Sequence, residues 1–247
     1  MHYKSIFISD THFGYPINQS KLLANFLQNH TCDNLYLVGD IIDFWALERK
    51  FTWKLADSHA VQQMLNKRRS GVPVIYITGN HDEFIRQHLD YISFEGIKFV
   101  NEVDHVGVNG KKYLVIHGDI FDNETAVWDI LSHLGNGAYM SSLYLSKFVN
   151  WIRGKFGLSP WSISLFLKQN VKGVVNYINK YEKHMIDYCK RGQYDGVITG
   201  HIHTPCIKQM DGLEYYNCGD WVESCTALVE HMNGRFEIVK WDKMVEF

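Results

Sequence analysis

The chain has 247 residues, of which 46% are hydrophobic and 21% charged, and its formal net charge is −2. That length suffices for one large mixed α/β domain with a sizeable core, and the near-neutral balance speaks against a strongly basic face for nucleic acid. Its 13 histidines stand out because imidazole is the commonest side-chain metal ligand, while 5 cysteines without a C-x-x-C pair read as reduced cytosolic thiols.

Met1-His2-Tyr3-Lys4 runs, without an apolar signal core, into a strand-like Ser5–Ser9 that delivers Asp10-Thr11-His12. In an extended segment residues two apart point the same way, so Asp10 and His12 can reach one ion. A helix follows, with Ser20 as N-cap and Leu22, Leu23, Phe26 and Leu27 as its core stripe. His30 at its end reads as a partner of the helix dipole, not a ligand. Asn34–Val38 has the unbroken apolar pattern of a strand buried on both faces, and it stops at Gly39-Asp40-Ile41-Ile42-Asp43. Open α/β sheets bind ligands at such carboxyl ends.

Phe44-Trp45 and a charged stretch lead to a helix through Val61, Met64, Leu65 and Arg68, which Gly71-Val72-Pro73 ends. Val74–Thr78 is the third strand and opens into Gly79-Asn80-His81-Asp82. Glu102–Val108 and Lys111–Ile116 flank Asn109-Gly110, a strong hairpin signal. The second arm ends in His117-Gly118-Asp119, with Phe121-Asp122 beyond.

Residues 123–190 read as a helical insertion. Val127, Ile130, Leu131 and Leu134 form one stripe, and Met140, Leu143, Tyr144, Phe148, Trp151 and Ile152 a second. Ser159-Pro160 starts another helix, with Val171, Val174, Val175, Ile178 and Tyr181 as its stripe. Glycines at Gly135, Gly137, Gly154 and Gly157 divide the segment into short pieces, which suits a lid or substrate cap. The longest apolar stretches are broken by polar residues, so no bilayer span is expected. Gly196–Thr199 is the fifth strand and opens into Gly200-His201-Ile202-His203-Thr204-Pro205. Two hairpins close the chain, Ile207–Met210 with Leu213–Asn217 and Ala227–Met232 with Arg235–Trp241, which suggests a second sheet. The expectation is one domain over residues 1–247 with the insertion at about 123–190.

Five strand ends thus carry Asp10, His12, Asp40, Asn80, His117, His201 and His203. Two carboxylates, four imidazoles and an amide exceed the needs of one ion but suit two ions that share a bridging group, for which Asp40 is placed. Two divalent ions leave positive charge that the carboxylates do not cancel, which favours an anionic, phosphate-containing substrate. Mixed oxygen and nitrogen donors point to Mn²⁺, with Fe or Zn as alternatives.

The ordered set D-x-H, GD-x-x-D, GNHD, HGD and GH-x-H, each after an apolar strand, resembles the calcineurin-like metallophosphoesterase superfamily. The resemblance spans roughly residues 5–220 and implies a double-β-sandwich α/β fold flanked by helices, with both ions at the sheet ends. It assigns Asp10, His12, Asp40 and His203 to one ion and Asp40, Asn80, His117 and His201 to the other. It gives His81, backed by Asp82, the catalytic role of steadying developing charge or protonating the leaving group, and makes Asp43 an orienter of the ligands. HGD followed by Ile120-Phe121-Asp122, the aromatic insertion and GHIHTP is similar to the UDP-2,3-diacylglucosamine hydrolase family of lipid A synthesis. That resemblance implies splitting of a lipid-linked pyrophosphate, acyl chains held by the insertion, and a cytoplasmic protein in peripheral contact with the membrane. Asn80 and Asp122 would meet the substrate. Lys168 and Lys172, one helical turn apart, could face its phosphates, although a solvated face accounts for them equally. The chain departs from that family at His81, where arginine is usual. A soluble phosphodiesterase with a smaller substrate and a non-catalytic metal-binding scaffold are the competing readings, and the complete ligand set argues against the second.

Overall fold

The computed structural model describes residues 1–122 and 172–242, together with 149, 153 and 155. The chain divides into two compact units, one of Met1–Asp119 with Met185–Phe247 and the other of Ile120–His184. Lys168, the first two apolar stripes of the expected insertion and its Ser159-Pro160 start lie outside the described residues, and of Lys172 only the backbone is described.

Among its described residues the first unit holds eleven strands in two sheets. One contains β1 (His2–Ile8), β2 (Thr31–Val38), β3 (Val74–Ile77), β4 (Lys98–Val100), β10 (Thr226–Glu230) and β11 (Phe236–Lys240), in the order β11-β10-β1-β2-β3-β4. The other contains β5 (Glu102–Val106), β6 (Lys112–Ile116), β7 (Gly196–Thr199), β8 (Cys206–Met210) and β9 (Leu213–Asn217), in the order β5-β6-β7-β9-β8. β1 to β4 run parallel, as do β6, β7 and β9. The three hairpins expected from turn chemistry, β5-β6, β8-β9 and β10-β11, are antiparallel pairs.

Side-chain alternation along the buried strands divides the core into two layers. Ile6, Ile8, Leu35 and Leu37 face α1 (Ser20–Asn29) and α3 (Leu55–Arg69), packing with Leu23, Phe26, Leu27, Ala60 and Met64. Their neighbours Phe7, Tyr36 and Val38 face the second sheet and pack with Tyr113, Val115, Ile198 and Tyr216. Phe7 stacks on Tyr36 with ring centroids 4.6 Å apart, and each such fully buried side chain contributes roughly 1.5–3 kcal/mol. Sandwiching fixes the strand ends relative to one another, and the site depends on that.

Several local expectations are revised. Ser20 is the first residue of α1, not its cap; Gln19 is the flanking residue, and the side chain of Asn18 accepts from Ser20 N at 3.3 Å. His30 does close α1, donating from Nδ1 to the Phe26 carbonyl at 2.8 Å. Burial holds its pKa down, so it acts as a neutral donor and not as a cation at the dipole. The stretch after Asp43 contains a short helix, α2 (Phe44–Arg49), which the charged sequence did not announce, and α4 (Glu83–Arg86) follows the third motif. α5 (Lys172–Arg191) is continuous and carries Val174, Val175, Ile178 and Tyr181. Its last turns, with Met185, Ile186 and Cys189 buried, belong to the first unit. No helix among the described residues is long and apolar enough to cross a membrane.

Candidate metal centre

Asp10 and His12 follow β1, Asp40 and Asp43 follow β2, Asn80 to Asp82 follow β3, His117 follows β6, and His201 and His203 follow β7. All five strands are parallel to a sheet neighbour and present their carboxyl ends to one place. The chain turns sharply there: Asp10, His12, Asp40, His201 and His203 adopt positive φ of 53°, 46°, 53°, 69° and 48°. Non-glycine residues in that region are strained, by roughly 1–3 kcal/mol each, and such strain gathers at functional sites.

The motif glycines allow the loops to close on one another. A Cβ on Gly39 would stand 2.3 Å from the His117 ring. One on Gly200 would stand 1.7 Å from Ser9 Oγ and 2.5 Å from Asp10 Oδ2. No side chain fits at either position without displacing a candidate ligand.

Each buried donor has one atom fixed by the protein and another aimed inward. Asp40 is 2% exposed; its Oδ1 accepts from His81 N at 2.9 Å. Its Oδ2 lies 3.4 Å from His117 Nε2 and 3.9 Å from both His12 Nε2 and His81 Nε2. Asp10 Oδ2 accepts from His201 N at 3.0 Å and from Ser9 Oγ, while its Oδ1 faces His203 Nε2 at 3.1 Å and His12 Nε2 at 3.9 Å. His117 Nδ1 donates to the Val38 carbonyl at 3.0 Å, and His12 Nδ1 donates to Asp43 Oδ2 at 3.1 Å. That fixes both tautomers with Nε2 toward the interior, the arrangement of a metal-binding histidine. The His201 ring lies 5.2 Å from that of His117.

The atoms left without a hydrogen bond test whether metal fits. They include Asp10 Oδ1, His12 Nε2, Asn80 Oδ1 and His117 Nε2, all buried. A buried polar atom left unpaired costs about 1–3 kcal/mol, and a divalent ion is a partner that carboxylate, amide and imidazole lone pairs can share. Asp10, His12 and His203 group within ligand range of one another, as do Asp10, Asp40 and His117. Asp10 is common to both groups, and Asp40 stands beside it in the second. This donor chemistry fits divalent ions.

Charges among these groups are strongly coupled. Burial alone would raise the carboxylates, but the His203 imidazole brings Asp10 down to about 2, and His117 with His81 and His12 holds Asp40 well below the usual range. Burial would lower the imidazoles, yet Asp43, Asp40 and Asp10 push His12 up to about 9, and Asp40 foremost pushes His117 up to about 10. Without metal the centre therefore holds protons where ions would bind.

His81 is placed differently from the sequence expectation. Its Nδ1 donates to Asp43 Oδ1 at 3.0 Å, and its ring contacts Trp45 at 4.2 Å between centroids. Asp43, not Asp82, is its carboxylate partner, and Asp43 also caps α2 by accepting from Ala46 N at 2.8 Å. Asp82 is fully buried and spends its oxygens on Tyr76 OH at 2.7 Å and on the backbone N–H groups of Ile41, Ile42 and Gly79. Burial and Asp40 raise Asp82 to about 6. It is a strut between the second and third loops, and no sequence spacing distinguishes it from Asp43. In the second unit, Asp122 sits with Tyr177, whose phenol pKa is raised by burial and by its hydrogen bond to Asp122.

Residues 3–205 match the family model described as calcineurin-like phosphoesterase. Similar proteins include the UDP-2,3-diacylglucosamine hydrolase of Histophilus somni (strain 129Pt), 29% identical over 242 residues, covering 94% of this chain and 97% of the relative. That of Vibrio atlanticus (strain LGP32) is 24% identical over 246 residues, covering 92% and 93%. Among solved structures, the phosphoesterase Yfce from E. coli aligns over 96% of this chain and 99% of its own, at 14% identity and a TM-score of 0.46.

Proposed function

The chain belongs to the calcineurin-like phosphoesterase family and is a metallophosphoesterase, and we propose that its substrate is a lipid-linked pyrophosphate of the UDP-2,3-diacylglucosamine type. The observation that carries the reading is that buried donor atoms of Asp10, His12, Asn80 and His117, from three strand ends, have no hydrogen-bond partner, while the Nε2 atoms of His117, His12 and His81 lie 3.4, 3.9 and 3.9 Å from Asp40 Oδ2. Asp10, His12, Asp40 and His203 would hold one ion and Asp40, Asn80, His117 and His201 the other, with Asp40 shared. Mn²⁺ suits the mixed donors. The relatives' names supply the substrate class.

A pair of divalent ions supplies charge stabilisation at the attacking and leaving oxygens of an in-line displacement and a nucleophile at neutral pH. The side chains do the rest. His12 and His117 keep Nδ1 bound to Asp43 and to the Val38 carbonyl, so the rings need not turn when the ligand set forms and only the Nε2 protons have to leave. His81 is fixed through Nδ1, leaving Nε2 to donate to an oxygen of the substrate phosphate as negative charge grows on it, or to protonate the leaving group. Asp43 is held far below the usual carboxylate range by its hydrogen bonds from His12 and His81, against the effect of burial; it therefore stays an acceptor and keeps both rings oriented.

With acyl chains on the substrate, the enzyme would work at the cytoplasmic surface of a membrane, and residues 123–190 would form the apolar cap, with Lys168, Lys172 and Asp122 meeting polar parts of the substrate. A second reading, a soluble phosphodiesterase acting on a smaller nucleotide, is favoured by His81 at the position where the lipid hydrolases usually carry arginine. Turnover of UDP-2,3-diacylglucosamine against a small aryl phosphodiester, with Mn²⁺ and with chelator, separates the two. Metal-dependent release of UMP supports the lipid reading. Turnover of the aryl ester without UMP overturns it in favour of the second.

A further inference from the structure

Arg86, the last residue of α4, lies outside every ligand set yet makes four hydrogen bonds. Nη1 donates to Asp119 Oδ2 at 2.7 Å and Nη2 to Asp119 Oδ1 at 3.0 Å, a two-pronged grip on one carboxylate. Nη2 also donates to the Thr78 carbonyl at 3.0 Å, and Nε to Thr78 Oγ1 at 3.2 Å. The Thr78 hydroxyl in turn donates a hydrogen bond to Asn101 Oδ1 at 2.8 Å. Asn101 is the one residue between β4 of the first sheet and β5 of the second.

The guanidinium therefore joins three places: the loop after β3, the crossover between sheets and the loop after β6. Thr78 lies two residues before Asn80, and Asp119 two residues after His117. Asn80 and His117, with His201, are the donors assigned to the second ion only. The first ion's loop has its own brace: Asn18 Nδ2 donates to the His12 carbonyl at 2.9 Å and to Asp57 Oδ1 at 3.1 Å, and Lys54 Nζ to the Asn18 carbonyl at 3.0 Å. None of the hydrogen bonds of Arg86 reaches Asp10, His12 or His203.

We propose that Arg86 and Asp119 are positioning residues for the second ion, holding Asn80 and His117 at ligand separation while the first ion depends on the separate brace at Asn18. This rests on the two-ion reading above. An exposed ion pair contributes little to stability, but here the arginine side chain is 26% exposed and Asp119 11%, and the grip is geometric. A planar fork fixes the orientation of the carboxylate it binds, which a lysine does not. Outer partners of metal ligands commonly set metal affinity by about 10–100-fold.

The test titrates metal-free wild type, Arg86→Gln, Arg86→Lys, Asp119→Asn and His117→Ala with Mn²⁺, reading heats and bound ions by elemental analysis, with thermal melting of each metal-free protein. Wild type should take up two ions. Arg86→Gln and Asp119→Asn should keep one at wild-type affinity and weaken the other about 10–100-fold, with Arg86→Lys between them. The retained ion should match the one kept by His117→Ala. Wild-type binding of both ions in Arg86→Gln and Asp119→Asn overturns the proposal. So does equal weakening of both ions with a fall in melting temperature, which is what a merely structural staple would give. Should Arg86→Gln fail to fold, Asp119→Asn and Arg86→Lys are read by the same criteria. A wild type that takes up fewer than two ions overturns the two-ion reading itself.

Discussion

Asparagine at position 43 replaces one oxygen of a carboxylate that serves two imidazoles. In the native chain Asp43 Oδ2 accepts from His12 Nδ1 at 3.1 Å, while Oδ1 accepts from His81 Nδ1 at 3.0 Å and from Ala46 N at 2.8 Å. An amide has one acceptor oxygen, and the helix cap with His81 will claim it. The NH₂ group then faces His12 Nδ1, which can accept from it only by giving up its proton to Nε2. A protonated Nε2 is no ligand, so His12 must change tautomer or break the contact before an ion binds. That predicts a 10–100-fold loss in affinity for the first ion, the usual range for outer partners, or about 1.4–2.7 kcal/mol. The cap survives, since asparagine caps nearly as well as aspartate, so melting of the metal-free variant should change little. Asp43→Ala loses the cap as well and should cost about a further 1 kcal/mol of stability. Calorimetric titration with Mn²⁺ gives the affinities, and turnover of an aryl phosphodiester reports the effect on His81. An Asp43→Asn protein that binds both ions with wild-type affinity and turns over normally would refute the assignment of His12 Nε2 as a donor atom.

Asp40→Ala should abolish both ions, and normal two-ion occupancy in that variant would refute the bridging role. Gly200→Ala places a methyl 1.7 Å from Ser9 Oγ and 2.5 Å from Asp10 Oδ2; loss of the first ion with a lowered melting temperature is expected, and unchanged metal content would show that the loops are less tightly closed than the structure has them. In the metal-free protein His12 and His117 stand at about 9 and about 10, against roughly 6.5 in an unfolded chain. Their charged forms therefore stabilise the metal-free fold fully below about pH 6.5, and that contribution disappears as pH rises through 9 to 10. Ion binding at pH 7 must displace these protons, so titration in buffers of different ionisation enthalpy should show proton release; heats independent of the buffer would contradict it. Glu230 is buried and accepts from Ser5 Oγ, His105 Nε2 and Val108 N at 3.0, 2.9 and 2.7 Å. Despite burial, those bonds hold its pKa below the usual range, so its stabilisation is present above the unfolded value and is lost as pH falls through the folded one. Glu230→Gln should cost about 1–3 kcal/mol in denaturant unfolding and leave metal stoichiometry intact; an unchanged unfolding midpoint would refute the first expectation.

What the amino-acid order determined by itself is whatever depends on near neighbours. Apolar runs at Asn34–Val38 and Val74–Thr78 became β2 and β3, and the Asn109-Gly110 turn joins β5 and β6, because strand burial and turn chemistry act over a few residues. The candidate donors were legible for the same reason: each follows a strand end closely, so the motif marks both the strand and the side chains it delivers. Short helices were less legible. α2 begins at Phe44 because Asp43 caps it, yet the same carboxylate orients two imidazoles, and a residue with three partners does not advertise any one of them. Only the tertiary structure decided that Asp43 rather than Asp82 serves His81, that Asp82 ties the second loop to the third, and that Arg86 reaches Asp119. Asp43 and Asp82 follow different strands, and each lies near His81 either in sequence or in space. Which carboxylate meets which ring depends on how far β2 and β3 extend and how their loops turn at positive φ, and those quantities exist only once the two sheets have packed.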